Sequence, residues 1–180
     1  MVPGMRLLGR LLQKAESFLL NRFDHLSTIS VRMQERLWQK GAPAAKTHLL
    51  PNWVDPQAVF PQPTPSPFRR EWSLADDQIL LLYAGSMGEK QGLELVIQAA
   101  RQLQADPRLV FVLCGAGSSR PRLETLAAGL PNVRFVPLQP PERLNDLLNA
   151  ADIHLLVQRS TAADLVMPSK LNGMLASGVP

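Results

Sequence analysis

Four short apolar segments, each followed by a loop and a helical pattern, constrain the fold of this chain more than any other feature. From Asp77 onward, strands are predicted near 79–84, 109–113, 133–137 and 153–157. Helices are predicted near 90–105, 119–129, 141–150 and 168–177. Apolar strands that alternate with helices form a parallel sheet covered on both faces. The predicted fold class is therefore α/β, with a parallel, Rossmann-like sheet.

Glycine-rich loops follow the first two strands, at the edge where such sheets bind ligands. Gly85 and Gly88 lie in the first loop, with Lys90 two residues on, and Gly115 and Gly117 lie in the second. Glycines permit close backbone approach, and a lysine beside a helix start can hold a phosphate. The alternative is a plain strand-to-helix turn with a solvated Lys90.

The loop before the last helix carries charges of both signs. Pro168 suits a first helical turn, so that Ser169 and Lys170 would offer donors at a helix start. Asp164 could accept hydrogen bonds from sugar hydroxyls, or it could cap the helix or pair with Arg159. Together the three loops indicate a nucleotide-type ligand.

Composition excludes several classes of protein. The apolar fraction of 46% suits a globular core, and no apolar run approaches the roughly 18–20 residues of a membrane span. The only cysteine, Cys114, rules out an internal disulfide and fits a reducing cytoplasm. Residues 1–50 hold eight basic and three acidic residues, so the basic excess lies away from the glycine loops, and we expect no nucleic-acid partner. The histidines lack metal-ligand spacing, and no metal site is predicted.

A proline-rich stretch divides the chain. Six of the sixteen prolines lie within 51–67, which predicts a hinge or linker over 51–78 between segments 1–50 and 79–180. The first segment reads as a helix (5–23), a strand (25–31), a helix (33–40) and a strand (47–50). The first helix is amphipathic, and two interpretations stay open: it lies on an anionic membrane surface, or it packs on its own domain.

Taken together, these segments resemble the C-terminal half of the group 1 (family four) retaining glycosyltransferases, closest to the colanic acid and exopolysaccharide type. Residues 50–55 (Leu-Pro-Asn-Trp-Val-Asp) are similar to the hinge of that family, and 83–93 to its first donor loop. Residues 158–180 resemble its last donor loop and helix, and 23–30 the last strand of its N-terminal domain.

The resemblance implies a donor-binding domain of a protein with two Rossmann domains, incomplete at both ends. It implies transfer, with retention, of a sugar from a GDP- or UDP-sugar to an exopolysaccharide or lipid-linked saccharide acceptor. No cofactor beyond that substrate is implied, and the expected location is cytoplasmic, with peripheral contact at the inner face of the membrane as one alternative. Lys90 and Asp164 take the catalytic roles. The implied donor-binding residues are Gly85, Ser86, Gly88, Gly115, Gly117, Val136, Leu138, Pro168, Ser169 and Lys170.

Three departures from the family pattern leave alternatives open. Ser86 stands where many members carry an arginine, and Gly173 stands where many carry a glutamate. The resemblance also implies that most of the N-terminal acceptor domain is absent. We therefore expect little transfer by this chain alone, and the alternative is an inactive remnant that acts as a nucleotide-binding or membrane-associated interaction module. A nucleotide-sugar epimerase is a third interpretation, which the missing paired carboxylates disfavour.

Overall fold

The computed structural model describes residues 3–159 and 168–180, and the described residues form two compact units. The first unit ends at Asn52 and the second begins at Trp53. Asp164 lies outside the described residues. The division at 51–78 into domains and linker stays a prediction.

Between residues 3 and 52, the first unit contains two helices and two short strands. Helix α1 spans Pro3–Arg22, strand β1 spans Leu26–Thr28, helix α2 spans Val31–Gln39, and strand β2 spans Thr47–Leu49. A single 3-10 turn, Ala44–Lys46, precedes β2. Helix α2 begins where the Ser30 hydroxyl accepts the N–H of Met33 at 3.2 Å, which satisfies one of the free donors of the first turn. Strands β1 and β2 pair in parallel. The order of elements, helix, strand, helix and strand, is the order predicted from the sequence.

The second unit is built on a four-stranded parallel sheet. Its strands are β3 (Ile79–Ala84), β4 (Leu109–Cys114), β5 (Val133–Val136) and β6 (Ile153–His154), in the order β5-β4-β3-β6. All three pairings are parallel, so the four carboxyl ends meet at one edge. Strand β6 is shorter than predicted, because its ladder with β3 contains two residue pairs, Leu81 with Ile153 and Leu82 with His154.

Five helices belong to the described part of the second unit. They are α3 (Pro67–Glu71), α4 (Glu94–Gln102), α5 (Arg120–Leu126), α6 (Leu144–Leu148) and α7 (Lys170–Ala176). Two 3-10 turns, Glu89–Gln91 and Pro141–Arg143, precede α4 and α6. The helix predicted from residue 90 therefore begins as a 3-10 turn, and the sequence did not predict α3.

Buried side chains lie on both faces of this sheet, because successive strand residues point to opposite sides. Tyr83, Phe111 and Leu113 join residues of α4 and α5 on one face. Leu80 and Val112 join Phe68 of α3 and Leu147 of α6 on the other. The predicted α/β class with a parallel, doubly covered sheet is confirmed.

None of the helices in the described ranges has the length and apolar character needed to cross a membrane.

Candidate functional site

The loops after β3 and β4 pack backbone against backbone at the carboxyl edge of the sheet. The N–H of Gly85 donates to the carbonyl of Cys114, and the N–H of Met87 donates to the carbonyl of Ala116, both at 2.8 Å. In return, the N–H of Ser119 donates to the carbonyl of Met87 at 2.9 Å. The two loops therefore form one backbone platform rather than two independent turns.

Gly115 and Gly117 are glycines because this platform leaves no room for a side chain. A Cβ on Gly115 would lie 1.9 Å from the carbonyl oxygen of Gly85, and one on Gly117 would lie 2.4 Å from that of Met87. Both residues also have positive φ angles, of 150° and 155°. Their residue type thus follows from loop packing, and their predicted part in donor binding stays a prediction.

Lys170, the first residue of α7, reaches back over the loop that follows β3. Its Nζ donates to the Tyr83 hydroxyl at 2.7 Å and lies 4.0 Å from the centre of the Tyr83 ring. The Tyr83 hydroxyl in turn donates to the carbonyl of Ser86. A Cβ on Gly85 would lie 2.7 Å from the same Nζ, so the ammonium fills the space above that glycine. We call Tyr83, Gly85, Ser86 and Lys170 the lysine cradle.

Burial changes the pKa values of both ionisable groups in the lysine cradle. Desolvation lowers the pKa of Lys170 to about 8 and raises the pKa of Tyr83 to about 12. No carboxylate forms an ion pair with Lys170 within the described ranges. A half-buried ammonium beside exposed backbone is a strong electrostatic partner for an incoming anion, since water screens it poorly.

Lys90 is exposed, unlike Lys170. It lies in the 3-10 turn Glu89–Gln91, and its carbonyl accepts the N–H of Arg159 at 3.0 Å. The N–H of Gly88 already donates to Oε1 of Gln91 at 3.1 Å. The N–H groups of Gly85 and Gly88 therefore both have protein acceptors, and neither is free to bind a phosphate.

A four-residue charge network joins the loop after β3 to the loop after β6. Arg159 donates through Nε to the carbonyl of Glu89 at 2.6 Å and through a second nitrogen to Glu94 at 3.3 Å. Arg122 of α5 contacts Glu94 and lies 3.3 Å from Glu89. Sequence reasoning missed this network, because the residues that contact each other in it are separated by 28 to 70 positions along the chain.

Arg120 links the carboxyl ends of strands β4 and β5. One of its terminal nitrogens donates to the carbonyl of Gly115 at 2.7 Å and to that of Val136 at 3.1 Å, and Nε binds Glu124 at 2.7 Å. The carbonyl of Val136 therefore accepts a hydrogen bond from Arg120. Leu138 lies beyond the end of β5 and is 66% exposed.

The remaining predicted site residues within the described ranges lie at the same edge. Pro168 and Ser169 lead into α7, and the Ser169 side chain forms no capping hydrogen bond. Ser86 is the exposed member of the lysine cradle. The structure thus brings Gly85, Ser86 and Lys170 into contact or close proximity.

A large cavity lies elsewhere in the described part of the second unit. Its volume is about 1100 Å³, and its lining includes Asp76 and Asp152, which precede β3 and β6, and Ser177 after α7. These positions are at the amino ends of the strands, away from the glycine loops. A smaller pocket of about 520 Å³ is lined by Glu94, Arg122 and Arg159 of the charge network. In the described parts of the chain, no three His, Cys, Asp or Glu side chains are grouped to hold a metal ion.

Comparison with known proteins gives consistent results. The family described as "Glycosyl transferases group 1" matches residues 66–165. The colanic acid biosynthesis glycosyl transferase WcaI of Escherichia coli (strain K12) is 40% identical over 178 residues, which cover 94% of this chain and 43% of WcaI. The alpha-galactosylglucosyldiacylglycerol synthase of Streptococcus pneumoniae is 28% identical over 76% of this chain and 38% of its own length.

Solved structures share the fold. HepE of Anabaena, crystallised with UDP-glucose, superposes with a TM-score of 0.74 at 20% identity, over 93% of this chain and 47% of HepE. WaaG, a glycosyltransferase of lipopolysaccharide biosynthesis, superposes with a TM-score of 0.65 at 21% identity, over 86% of this chain and 42% of WaaG. This chain spans less than half the length of each of these proteins.

Proposed function

The chain belongs to the group 1 glycosyltransferases, and on that premise we propose that its second unit binds the diphosphate of a GDP- or UDP-sugar at the lysine cradle. The observation that carries the proposal is the half-buried ammonium of Lys170, which lies over Gly85 at the carboxyl edge of a parallel sheet. Open parallel sheets bind ligands at this edge, and a poorly screened cation favours a phosphate there.

Lys90 supplies a second cation in this proposal. Its side chain is exposed on the turn that follows the same loop, so it can approach a bound phosphate from the solvent side. An exposed ammonium contributes less than a half-buried one, because water and salt screen it. We therefore assign the larger part of diphosphate binding to Lys170 and the smaller part to Lys90.

The reaction we propose for the whole protein is sugar transfer with retention. The bond between the anomeric carbon and the diphosphate oxygen breaks, a bond to an acceptor oxygen forms on the same face, and the acceptor hydroxyl loses its proton. The cations at the sheet edge stabilise the negative charge that develops on the leaving diphosphate. The identity with WcaI favours a saccharide or lipid-linked saccharide of an exopolysaccharide as the acceptor. We expect no cofactor besides the sugar nucleotide.

Calorimetric titration of the chain with UDP, GDP and the corresponding monophosphates tests the binding step. We expect diphosphates to bind more tightly than monophosphates. Lys170→Met keeps the length of the side chain and removes the charge, and it should weaken diphosphate binding about 10- to 100-fold, the range for a charged hydrogen bond. Lys90→Met is the matched variant and should have a smaller effect.

Two results would overturn the proposal. One is the absence of any diphosphate binding by a chain that circular dichroism shows to be folded. The other is unchanged diphosphate affinity in Lys170→Met. Transfer is measured separately, with labelled UDP- and GDP-sugars, because the chain spans less than half the length of its relatives. A chain that binds diphosphates and transfers no sugar would be the nucleotide-binding module instead.

A further inference from the structure

Two histidines meet on the surface of the first unit. His25 directly precedes β1, and His48 is the middle residue of β2. Nδ1 of His25 lies 2.9 Å from Nε2 of His48, and the centres of the two rings are 5.1 Å apart. Spacing along the sequence did not indicate this pair, because the two residues are 23 positions apart and become neighbours only when β1 and β2 pair.

The register of the small sheet explains why the two rings meet. Ser27 of β1 stands opposite His48 of β2, and His25 lies two residues before Ser27. Since extended residues two positions apart point to the same side, His25, Ser27 and His48 share one face. All three are exposed, whereas Thr28 and Thr47 on the other face are buried. The two rings are therefore diagonal neighbours on the side of the sheet that faces solvent.

The hydrogen bond between the rings involves the form of histidine that binds metal ions. One of the two facing nitrogens carries the shared proton and the other lacks it, so at least one ring is neutral. Neutral imidazole is the commonest metal ligand in proteins. When the donating ring moves its proton to its other nitrogen, both facing nitrogens hold lone pairs. Because both rings are exposed, rotation about their side-chain bonds can turn these lone pairs toward one ion.

The distance between the two nitrogens fits one class of ion. A metal ion lies about 2.0–2.1 Å from a histidine nitrogen, so a nitrogen separation of 2.9 Å corresponds to an angle of about 90° at the ion. Tetrahedral sites, which Zn²⁺ prefers, place such nitrogens about 3.3 Å apart. Cu²⁺ and Ni²⁺ favour square-planar or tetragonal sites, in which neighbouring ligands form right angles. Cu²⁺ is also the most strongly bound divalent ion of the first transition row.

The surroundings of the pair leave room for the rest of a coordination shell. Both rings line a surface depression of about 630 Å³, which has space for several water molecules. Within the described ranges, no third His, Cys, Asp or Glu side chain joins them, so water would supply the other ligands. Asp24 directly precedes His25, and Lys46 donates to the carbonyl of Phe23 at 3.2 Å. These two neighbours have opposite charges, and their effects on a bound cation offset each other in part.

A metal ion at this pair would join two strands that few other contacts hold together. Strands β1 and β2 contain three residues each, and within the described residues each pairs only with the other. In the described part of this unit, Ala42 is the only buried apolar residue. We propose that His25 and His48 form a two-histidine site for a divalent transition-metal ion, with Cu²⁺ as the best fit, and that the bound ion cross-links β1 to β2. This inference does not depend on nucleotide binding by the second unit.

Calorimetric titration of the full chain with Cu²⁺ tests the site, with the chain free of any histidine tag and glycine present as a competing chelator. We expect one ion to bind per chain. His25→Gln and His48→Gln each remove one ligand from an exposed position, and each should weaken binding at least tenfold. His154→Gln removes the third histidine of the chain, which lies beside Ser177 in the second unit, and should leave the affinity unchanged. Circular dichroism confirms that each variant is folded.

Two further measurements test the geometry and the cross-link. Electron paramagnetic resonance of the copper-loaded chain should show coupling to two imidazole nitrogens, and to one in either His25→Gln or His48→Gln. Hydrogen exchange followed by mass spectrometry tests the cross-link, because an ion that binds the folded sheet stabilises it. Amides of β1 and β2 should exchange at least tenfold more slowly with Cu²⁺ than without it, and those of β3 should not change. In His48→Gln the added protection should disappear.

Three results would overturn the proposal. The first is the absence of Cu²⁺ binding by the folded chain. The second is equal affinity in the wild type, His25→Gln and His48→Gln, which would place the ion on other groups, such as the terminal amine. The third is a bound ion that leaves the exchange of β1 and β2 unchanged, which would show that it does not cross-link the two strands.

Discussion

At the residue scale, Lys170 makes nucleotide affinity depend on pH. Desolvation lowers its pKa to about 8, so the free chain loses the proton as pH rises through 8. Only the protonated ammonium attracts a diphosphate, and the bound anion raises the lysine pKa again. We therefore expect UDP and GDP affinity to fall between pH 8 and pH 10, measured by calorimetry. In Lys170→Met this fall should disappear, and an unchanged profile in that variant would contradict the assignment.

Stability should respond to pH in the opposite direction, which provides a check without a ligand. The folded chain holds the Lys170 proton less tightly than the unfolded chain, whose lysine has a pKa near 10.5. The unfolded state therefore binds more protons between pH 8 and about 10, and rising pH favours the folded state. The free energy of unfolding of the wild type, minus that of Lys170→Met, should rise over this range. Taking the difference removes the contribution of Cys114, whose raised pKa acts in the other direction, and Tyr83, whose pKa is raised to about 12, titrates mainly above this range.

The sequence predicted Lys170 as a donor-binding residue, but it did not predict the residues that Lys170 contacts. A proline followed by a serine and a lysine at a helix start is a local pattern, and it predicted donors at this point. The contact of Lys170 with Tyr83 joins residues 87 positions apart, and no local spacing encodes it. Arg120 of α5 is a second contact that no local spacing encodes, because its acceptor Val136 lies in β5, 16 positions further along the chain. Asp164 stays a prediction, since it lies outside the described residues.

At the scale of elements, the packing of the two glycine loops is the step most sensitive to substitution. Gly115→Ala would place a Cβ 1.9 Å from the Gly85 carbonyl, in a backbone conformation that alanine rarely adopts. We expect a loss of on the order of 3 kcal/mol in the free energy of unfolding, typical of severe overpacking. Urea denaturation measures it.

Gly173→Ala is the matched control for this prediction. Gly173 lies inside α7, where the nearest atom to a new Cβ is Leu148 Cδ1 at 3.4 Å. Alanine favours the helical backbone by about 1 kcal/mol over glycine, so this variant should unfold at equal or higher urea concentration. A Gly115→Ala chain as stable as the wild type would show that the loops do not pack as described.

The elements themselves were largely predictable, and the exceptions have physical reasons. The apolar runs gave β3 and β4 within a residue of their bounds, because a buried parallel strand needs continuous apolar sequence. Helix α3 lies in the predicted linker and was not predicted, because five residues are too few for helical periodicity to appear. Its start was readable in principle, because Ser66 caps the helix and Pro67 occupies its first position.

At the scale of the whole molecule, the two units differ in how much core they contain. Apart from Ala42, the buried apolar side chains recorded for the described residues all lie in the second unit, on both faces of the four-stranded sheet. The sequence predicted strands and helices in both segments with equal ease. It could not reveal this difference, because periodicity marks an apolar face without showing what covers it. The clearest example is the set of exposed apolar side chains on α1, which are Leu8, Leu11, Leu12, Phe18 and Leu19.

Hydrogen exchange measures the consequence of that difference. Because local opening is easiest where few apolar contacts are lost, amides of β1 and β2 should exchange about a hundredfold faster than those of β3 and β4. Strand β5 lies at an edge of the larger sheet and controls for edge effects, so its amides should also be slower than those of β1. If β1 and β2 are as protected as β3, the first unit has stability that its small core does not explain.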